Sequence, residues 1–209
     1  MKNWFARRGA LPITAYLLAL AAWLVLGAAH FGSDALAKAQ GRLAEETMAV
    51  TDWQLVGLTQ NEDGTLTTVD GDPQMILENV DGRVVRTISY TAQFDGEARE
   101  MCLYYTTKVG EDYSADRRVF PQSVGEGRYI YTLPRTSLAA LRLDPCSPEE
   151  NKTVTLAVRD ITLNAADTLP AVWQYFVPTW YQAFCLVLYP ALAAAAVSMI
   201  FAVLKKKEK

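Results

Sequence analysis

The sequence predicts a mainly β protein, a sandwich of short strands flanked by two apolar helices long enough to cross a membrane. Three observations predict it. Residues 10–29 and 183–204 carry no charged side chain, and each stretch is as long as a helix needs to traverse about 30 Å of hydrocarbon. Between them, runs rich in Val, Ile, Thr, Tyr and Leu alternate with period two. Asp-Gly pairs and prolines separate those runs at positions where a turn needs a positive or fixed φ.

The first apolar stretch follows Lys2, Arg7 and Arg8. The second is preceded by Trp173, Tyr175, Phe176, Trp180 and Tyr181 and closed by Lys205, Lys206, Lys207 and Lys209, the order of an aromatic belt, a span and a basic anchor. The positive-inside rule then keeps both termini cytoplasmic and exports the middle of the chain. A second reading cleaves the first stretch as a signal peptide after the small-x-small pattern Ala35-Leu36-Ala37, although 20 uncharged residues exceed the usual signal core. A third buries both stretches as helices of a soluble protein. Pro190 falls inside the second span, where it removes a backbone donor and favours a kink. Residues 33–46 favour helix and extend the first span as a stalk.

The expected layout is a cytoplasmic segment 1–9, a first span 10–31, a stalk 32–47, an extracytoplasmic sandwich 48–165, an interfacial aromatic segment 166–181, a second span 182–204 and a cytoplasmic tail 205–209. The strands are expected at 49–58, 66–69, 74–78, 84–94, 101–107, 117–120, 128–133, 138–143 and 154–163. In the fourth, Ile88, Tyr90, Ala92 and Phe94 share the core face, with Val84 and Arg86 in phase. In the last, Val154, Leu156 and Val158 point inward, whereas Ile161 and Leu163 have the opposite parity. A β-bulge near Arg159-Asp160 restores the register.

Charge and chemistry narrow the function. Residues 30–171 hold 13 basic and 22 acidic side chains, a net charge of −9, which excludes nucleic acid as a partner. The single histidine, His30, ends the first span, so no Ser-His-Asp, Cys-His or His-rich zinc site lies in the sandwich. No Gly-rich phosphate loop appears. Cys102 and Cys146 are the two thiols that export allows to bridge; Cys185 lies in the second span. Asp70 and Asp72 are the calcium candidates, but the closing Glu of a calcium loop is absent. Paired carboxylates leave a glycoside hydrolase as a minor alternative. Sugars stack their apolar faces on aromatic rings, and Trp53, Tyr104, Tyr105, Tyr113, Tyr129 and Tyr131 are the exported rings. Tyr104 and Tyr105 point to opposite faces of their strand. Tyr105, Tyr113, Trp53 and Arg117 are the expected ligand-binding residues.

Trp53 on the first strand, Asp72-Pro73-Gln74 before a short strand, Tyr104-Tyr105 in mid-domain, Leu141-Arg142-Leu143-Asp144-Pro145, and a final strand ending Arg159-Asp160-Ile161-Thr162-Leu163 together resemble the galactose-binding-like jelly rolls over residues 49–163. The resemblance implies a jelly-roll sandwich of the kind that carbohydrate-binding modules use, and that is attached to bacterial membrane proteins handling cell-surface polysaccharides. It also implies neighbouring first and last strands and a structural calcium as the one candidate cofactor. The expected function is a non-catalytic, membrane-anchored carbohydrate-recognition or accessory module of envelope polysaccharide machinery. Its expected partners are the bilayer, a cell-surface polysaccharide, and a membrane glycosyltransferase or transporter. The alternative is an assembly subunit that docks a larger membrane protein through its sandwich and spans, using small-residue faces such as Ala15, Ala19, Ala22, Ala193 and Ala194.

Overall fold

The structure, a computed structural model, describes residues 10–207; the expected cytoplasmic segment 1–9 and residues 208–209 of the basic tail lie outside the described residues. The chain divides into two units, one holding Leu36–Leu169 and the other the two long helices.

In the helical unit, α1 (Ala10–Ala39) and α2 (Trp180–Lys207) are long and apolar enough to cross a membrane. α2 continues through Pro190 as one helix. Polar contacts tie α1 to α2 and to the segment that leads into α2. Tyr16 Oη donates to the Val187 carbonyl at 2.9 Å, Trp23 Nε1 to the Phe176 carbonyl at 3.1 Å, and Tyr175 Oη to the buried Asp34 carboxylate at 2.9 Å. α1 ends at Ala39, short of the stalk expected to residue 47, because residues 46–48 are taken into a sheet instead.

The other unit is a jelly-roll-type sandwich of two antiparallel sheets. Its strands are β1 (Glu46–Met48), β2 (Gln54–Val56), β3 (Leu58–Gln60), β4 (Leu66–Thr68), β5 (Gln74–Leu77), β6 (Thr87–Asp95) and β7 (Cys102–Thr106). They continue with β8 (Arg118–Val119), β9 (Gln122–Ser123), β10 (Arg128–Thr132), β11 (Ala140–Asp144) and β12 (Thr155–Leu163). The larger sheet runs β3-β4-β12-β6-β10-β9 with β1 also on β12, and the smaller runs β2-β5-β11-β7-β8.

The single first strand expected over 49–58 is a short 3-10 turn (Val50–Asp52) followed by β2 and the start of β3, and the chain changes sheet inside it. β2 pairs with β5 in the smaller sheet and β3 with β4 in the larger. Gly57 is the corner between them, at φ +65°, a conformation that costs glycine little. A Cβ there would come within 2.3 Å of the Asp70 carboxylate. β12 carries the expected bulge: its register against β6 shifts between Arg159 and Thr162, with Asp160 at φ +54°. Val154, Leu156, Val158, Ile161 and Leu163 are consequently all buried.

Between the sheets the core gathers Leu66, Met75, Leu103, Leu141 and Leu143 with Ile88, Leu156 and Ile161. On β6 the face expected inside is inside for Ile88, Tyr90 and Ala92, and Phe94 packs against it. Val84 is only half-buried while Val85 is buried, because the strand proper begins at Thr87 and the preceding residues do not keep its alternation. Tyr90 and Tyr131 stack with ring centroids 6.0 Å apart and their hydroxyls 3.4 Å from each other. Burial pushes both phenols well above the ordinary tyrosine range.

Asn164, buried and at φ +54°, ties three chain segments together. Its side-chain carbonyl accepts from the Arg86 backbone N–H at 2.7 Å, and its amide donates to the carbonyls of Ala44 at 3.1 Å and Val84 at 2.8 Å. Few other L-residues combine tolerance of this φ with a donor and an acceptor at that reach. Asn164→Ala is therefore expected to lower the unfolding free energy by about 2–4 kcal/mol. Thermal and urea unfolding of the detergent-solubilised chain checks it; an unchanged midpoint contradicts the assignment.

Candidate functional site

The outer face of the smaller sheet gathers a set of charged and aromatic side chains. In an antiparallel pair, directly opposed residues project to the same face. The register sets Gln54 opposite Ile76, Ile76 opposite Arg142, Arg142 opposite Tyr104, and Tyr104 opposite Arg118, so these five form one row across the sheet. One step along, Asp144 is opposite Cys102 on that face. The alternating partners Leu141, Leu143 and Leu103 are wholly buried.

Arg142 organises the row. Its Nε and Nη2 donate to the two oxygens of Asp144 at 2.8 and 2.7 Å, and Nη2 also reaches Asp72 at 3.1 Å. The guanidinium lies 4.8 Å from the Tyr104 ring centroid and 5.9 Å from that of Tyr113, within cation–π range of both. Burial pushes the Asp144 carboxyl above the ordinary aspartate value, and the bidentate Arg142 guanidinium opposes that shift. Hydrogen bonding to Asp144 in turn raises Arg142. Burial raises Tyr104, while its hydrogen bond to Arg118 favours the charged guanidinium there. Arg118 also pairs with Glu100 at 3.1 Å.

Arg142, Asp144, Tyr104, Arg118 and Glu100 line a recess of about 160 Å³ with Asp72, Cys102, Cys146 and Ser147 also among its walls, and Tyr113 lies outside that lining. Two guanidiniums and three carboxylates nearly cancel there, so the recess suits a neutral ligand rich in hydroxyls better than a strongly charged one. Cys102 and Cys146 are free thiols, not the disulfide for which they were the candidates. Cys102 Sγ instead points at Asp144 Oδ2, 3.9 Å away. Burial pushes both thiols up to about 11, which keeps them protonated and poorly nucleophilic at neutral pH.

The structure distributes the expected ligand-binding residues differently. Trp53 is a core residue, 3% exposed, because it faces the space between the sheets. Tyr105 shares the parity of Leu103 and packs against the core, so Tyr104 is the outward ring of the pair. Tyr129 packs on the core and Tyr131 lies within it. Tyr113 does approach the row, half-buried beside Arg142. Arg117 does not line the recess; its neighbour Arg118 does. Arg117 pairs with Glu111 at 2.5 Å and donates to Thr107 Oγ1 at 3.2 Å, closing the loop that carries Tyr113.

Asp70 and Asp72 do not fit a calcium ion. Asp70 Oδ1 accepts from the Asp72 backbone N–H at 3.0 Å, and Asp72 accepts from Gln74 and from the Arg142 guanidinium, a cation that would oppose a second one. Among the described residues there is no group of three or more His, Cys, Asp and Glu side chains placed to hold a metal.

No family model and no curated protein matches the chain. Among solved structures it is similar to CBM86, a low-affinity xylan-binding module from Roseburia intestinalis, at 14% identity and TM-score 0.37, with 57% of this chain and 94% of that one covered. It is similar also to the K2 cleaved adhesin domain of Lys-gingipain, at 11% and 0.39 with 58% and 100% covered. A third is a family 29 carbohydrate-binding module complexed with cellulohexaose, at 10% and 0.39 with 60% and 96% covered.

The loop that presents Tyr113 has a pH-sensitive tie. The Thr107 backbone N–H, and after it Arg117, hold the Glu111 carboxyl down at about 2 against an ordinary 4.5. A lowered folded-state value stabilises the fold above the unfolded value and loses that contribution as pH falls through the folded one. The stability gap between the native chain and Glu111→Gln is thus expected to be full above about pH 5 and to close towards pH 2. Melting temperatures of both proteins across that range check it, and a gap independent of pH counts against the tie.

Proposed function

We propose that the outer face of the smaller sheet binds a neutral glycan and that the chain is a non-catalytic, membrane-anchored carbohydrate-recognition or accessory module of cell-envelope polysaccharide machinery. The observation that carries this reading is the face on which Tyr104 from the row and Tyr113 from a neighbouring loop flank an Arg142–Asp144 pair. Aromatic rings offer surface for the C–H faces of a sugar, and a fixed guanidinium–carboxylate pair offers planar donors and acceptors for its hydroxyls. The pair is preorganised by its own bidentate bonds, so little side-chain entropy is lost when a ligand arrives.

Anchoring follows from the two apolar helices, read as spans with both termini cytoplasmic and the sandwich outside. A weak sugar site held at a membrane gains from effective concentration what it lacks in intrinsic affinity. Nothing in this mechanism needs a nucleophile or a base.

Calorimetric titration of the detergent-solubilised chain with xylohexaose and cellohexaose tests the reading. Binding is expected, and Tyr104→Ala is expected to weaken it about tenfold, the size of one lost stacking contact. A folded protein that binds neither sugar, or a Tyr104→Ala variant that binds as well as the native chain, removes the reading.

A second reading, an assembly subunit of a larger membrane protein, is favoured by one observation. The helical unit carries an apolar recess of about 630 Å³ lined by residues such as Ala15, Ala19, Ala22, Ala193 and Ala194, small side chains that let a further helix approach closely. Recovery of a stoichiometric membrane partner in mild detergent, lost on Ala19→Leu and Ala194→Leu, is the outcome expected of it. Partner recovery unaffected by those changes is evidence against docking at this recess.

A further inference from the structure

The row on the smaller sheet does not stop at the wall of the recess. Arg118, on the edge strand β8, stands opposite Tyr104 in the register and pairs with Glu100 at 3.1 Å, all three residues lining the recess. Its guanidinium carbon also lies 5.0 Å from the centroid of the Phe120 ring, within cation–π range. Phe120 is not part of the recess lining, so Arg118 joins the recess to a ring outside it.

Phe120 faces the same side of the sheet as the row. Side chains alternate along an extended chain, and Val119, which follows Arg118, packs against the core. The next residue therefore points outward with Arg118. Pro121 follows it, restricts Phe120 to extended backbone and ends the supply of donors that could lengthen β8. The ring is 55% exposed, whereas every other aromatic side chain of residues 36–169 is buried or half-buried. An apolar ring left in water forgoes the free energy that burial would recover, and a ligand stacked on it recovers part of that.

Three rings and two guanidiniums thus alternate on one face, in the order Tyr113, Arg142, Tyr104, Arg118, Phe120. Arg142 lies 5.9 Å from the first ring and 4.8 Å from the second. Tyr104 and Phe120 sit diagonally on neighbouring strands, a backbone separation of about 7–8 Å, with the Arg118 guanidinium between them. One sugar ring cannot stack on both. Two rings so placed fit separate units of one linear chain, and the guanidiniums between the rings meet the hydroxyls that those units present.

We propose that Phe120 is the outermost stacking platform of the glycan site, so that the ligand is a linear glycan engaged over several consecutive units and not a mono- or disaccharide. The inference rests on the glycan reading of the row and adds to it a length requirement and a residue outside the recess.

The test uses the full chain in phosphatidylcholine nanodiscs, free of sugar-based detergent. Xylohexaose and cellohexaose are titrated by calorimetry, and xylobiose and cellobiose are measured by competition against the hexaose that binds. The hexaose is expected to bind at least about tenfold more tightly than its disaccharide, one stacking contact being worth about that factor. Phe120→Ala is expected to weaken the hexaose about tenfold and to leave the disaccharide unchanged. Phe120→Leu, which keeps apolar bulk without a ring, is expected to show the same loss, and Phe120→Tyr to bind as the native chain does. The side chain is exposed, so the melting temperatures of the three variants are expected to match the native one. If the hexaose binds, is weakened by Tyr104→Ala and is unaffected by Phe120→Ala and Phe120→Leu, the platform is overturned while the glycan reading stands. Equal weakening of hexaose and disaccharide by Phe120→Leu also overturns it, because the ring then acts on the recess through Arg118. A native chain that binds none of these sugars overturns the glycan reading and this inference with it.

Discussion

Strand β12 is the constraint on which the sandwich depends. Along one edge it pairs with β6 for nearly its whole length, and along the other it seats β4 at its start and β1 at its end. A strand with two such partners must keep its apolar side chains on one face throughout, and a regular strand with this sequence could not. The bulge at Arg159–Asp160 resolves the conflict by inserting the residue that returns Ile161 and Leu163 to the core. It also delivers the chain to Asn164, whose side chain joins the residues just before β1 to those leading into β6. The first and last strands become neighbours as a consequence.

Both recesses of the sandwich unit are by-products of how the sheets bury their leucines. Once Leu141 and Leu143 face inward, Arg142 and Asp144 must face outward on the central strand of the smaller sheet, where Tyr104 and Arg118 fall into line with them. The loops that connect the strands gather Arg42, Arg83, Arg86, Lys108 and Arg135 around a second recess of about 620 Å³. The two recesses differ in charge for that reason. One is built from paired strand residues whose opposite charges meet across short distances, and the other from loop residues brought together from stretches far apart in sequence.

Much of the architecture was legible locally. The strand positions, the turns at Asp-Gly pairs, the inward face of β6 and the bulge in β12 all follow from period-two patterns and from residues with restricted φ. The site was legible only in part. The alternation Leu141, Arg142, Leu143, Asp144 already placed an arginine and an aspartate together on one face, and that signal pointed to the row. Choosing between Tyr104 and Tyr105 required knowing that Leu103 lies inward. Trp53 was misplaced because an aromatic ring on a short strand serves a core as readily as a ligand, and Arg117 was preferred to Arg118 because neighbouring arginines look alike until one is seen paired to Glu111.

The sequence by itself determined the two long apolar helices, the β character of everything between them, the poverty of catalytic groups and the acidic excess of the middle segment. These are properties of composition and of short-range periodicity, and each residue contributes to them without reference to distant ones. The tertiary structure alone decided that the chain switches sheets at Gly57, that Cys102 and Cys146 share a recess as free thiols, that Asp72 answers to Arg142 across 70 residues of chain, and that five scattered cations surround one opening. Strand pairing and loop placement join residues far apart in sequence, and such a meeting leaves no mark in the local pattern of either partner.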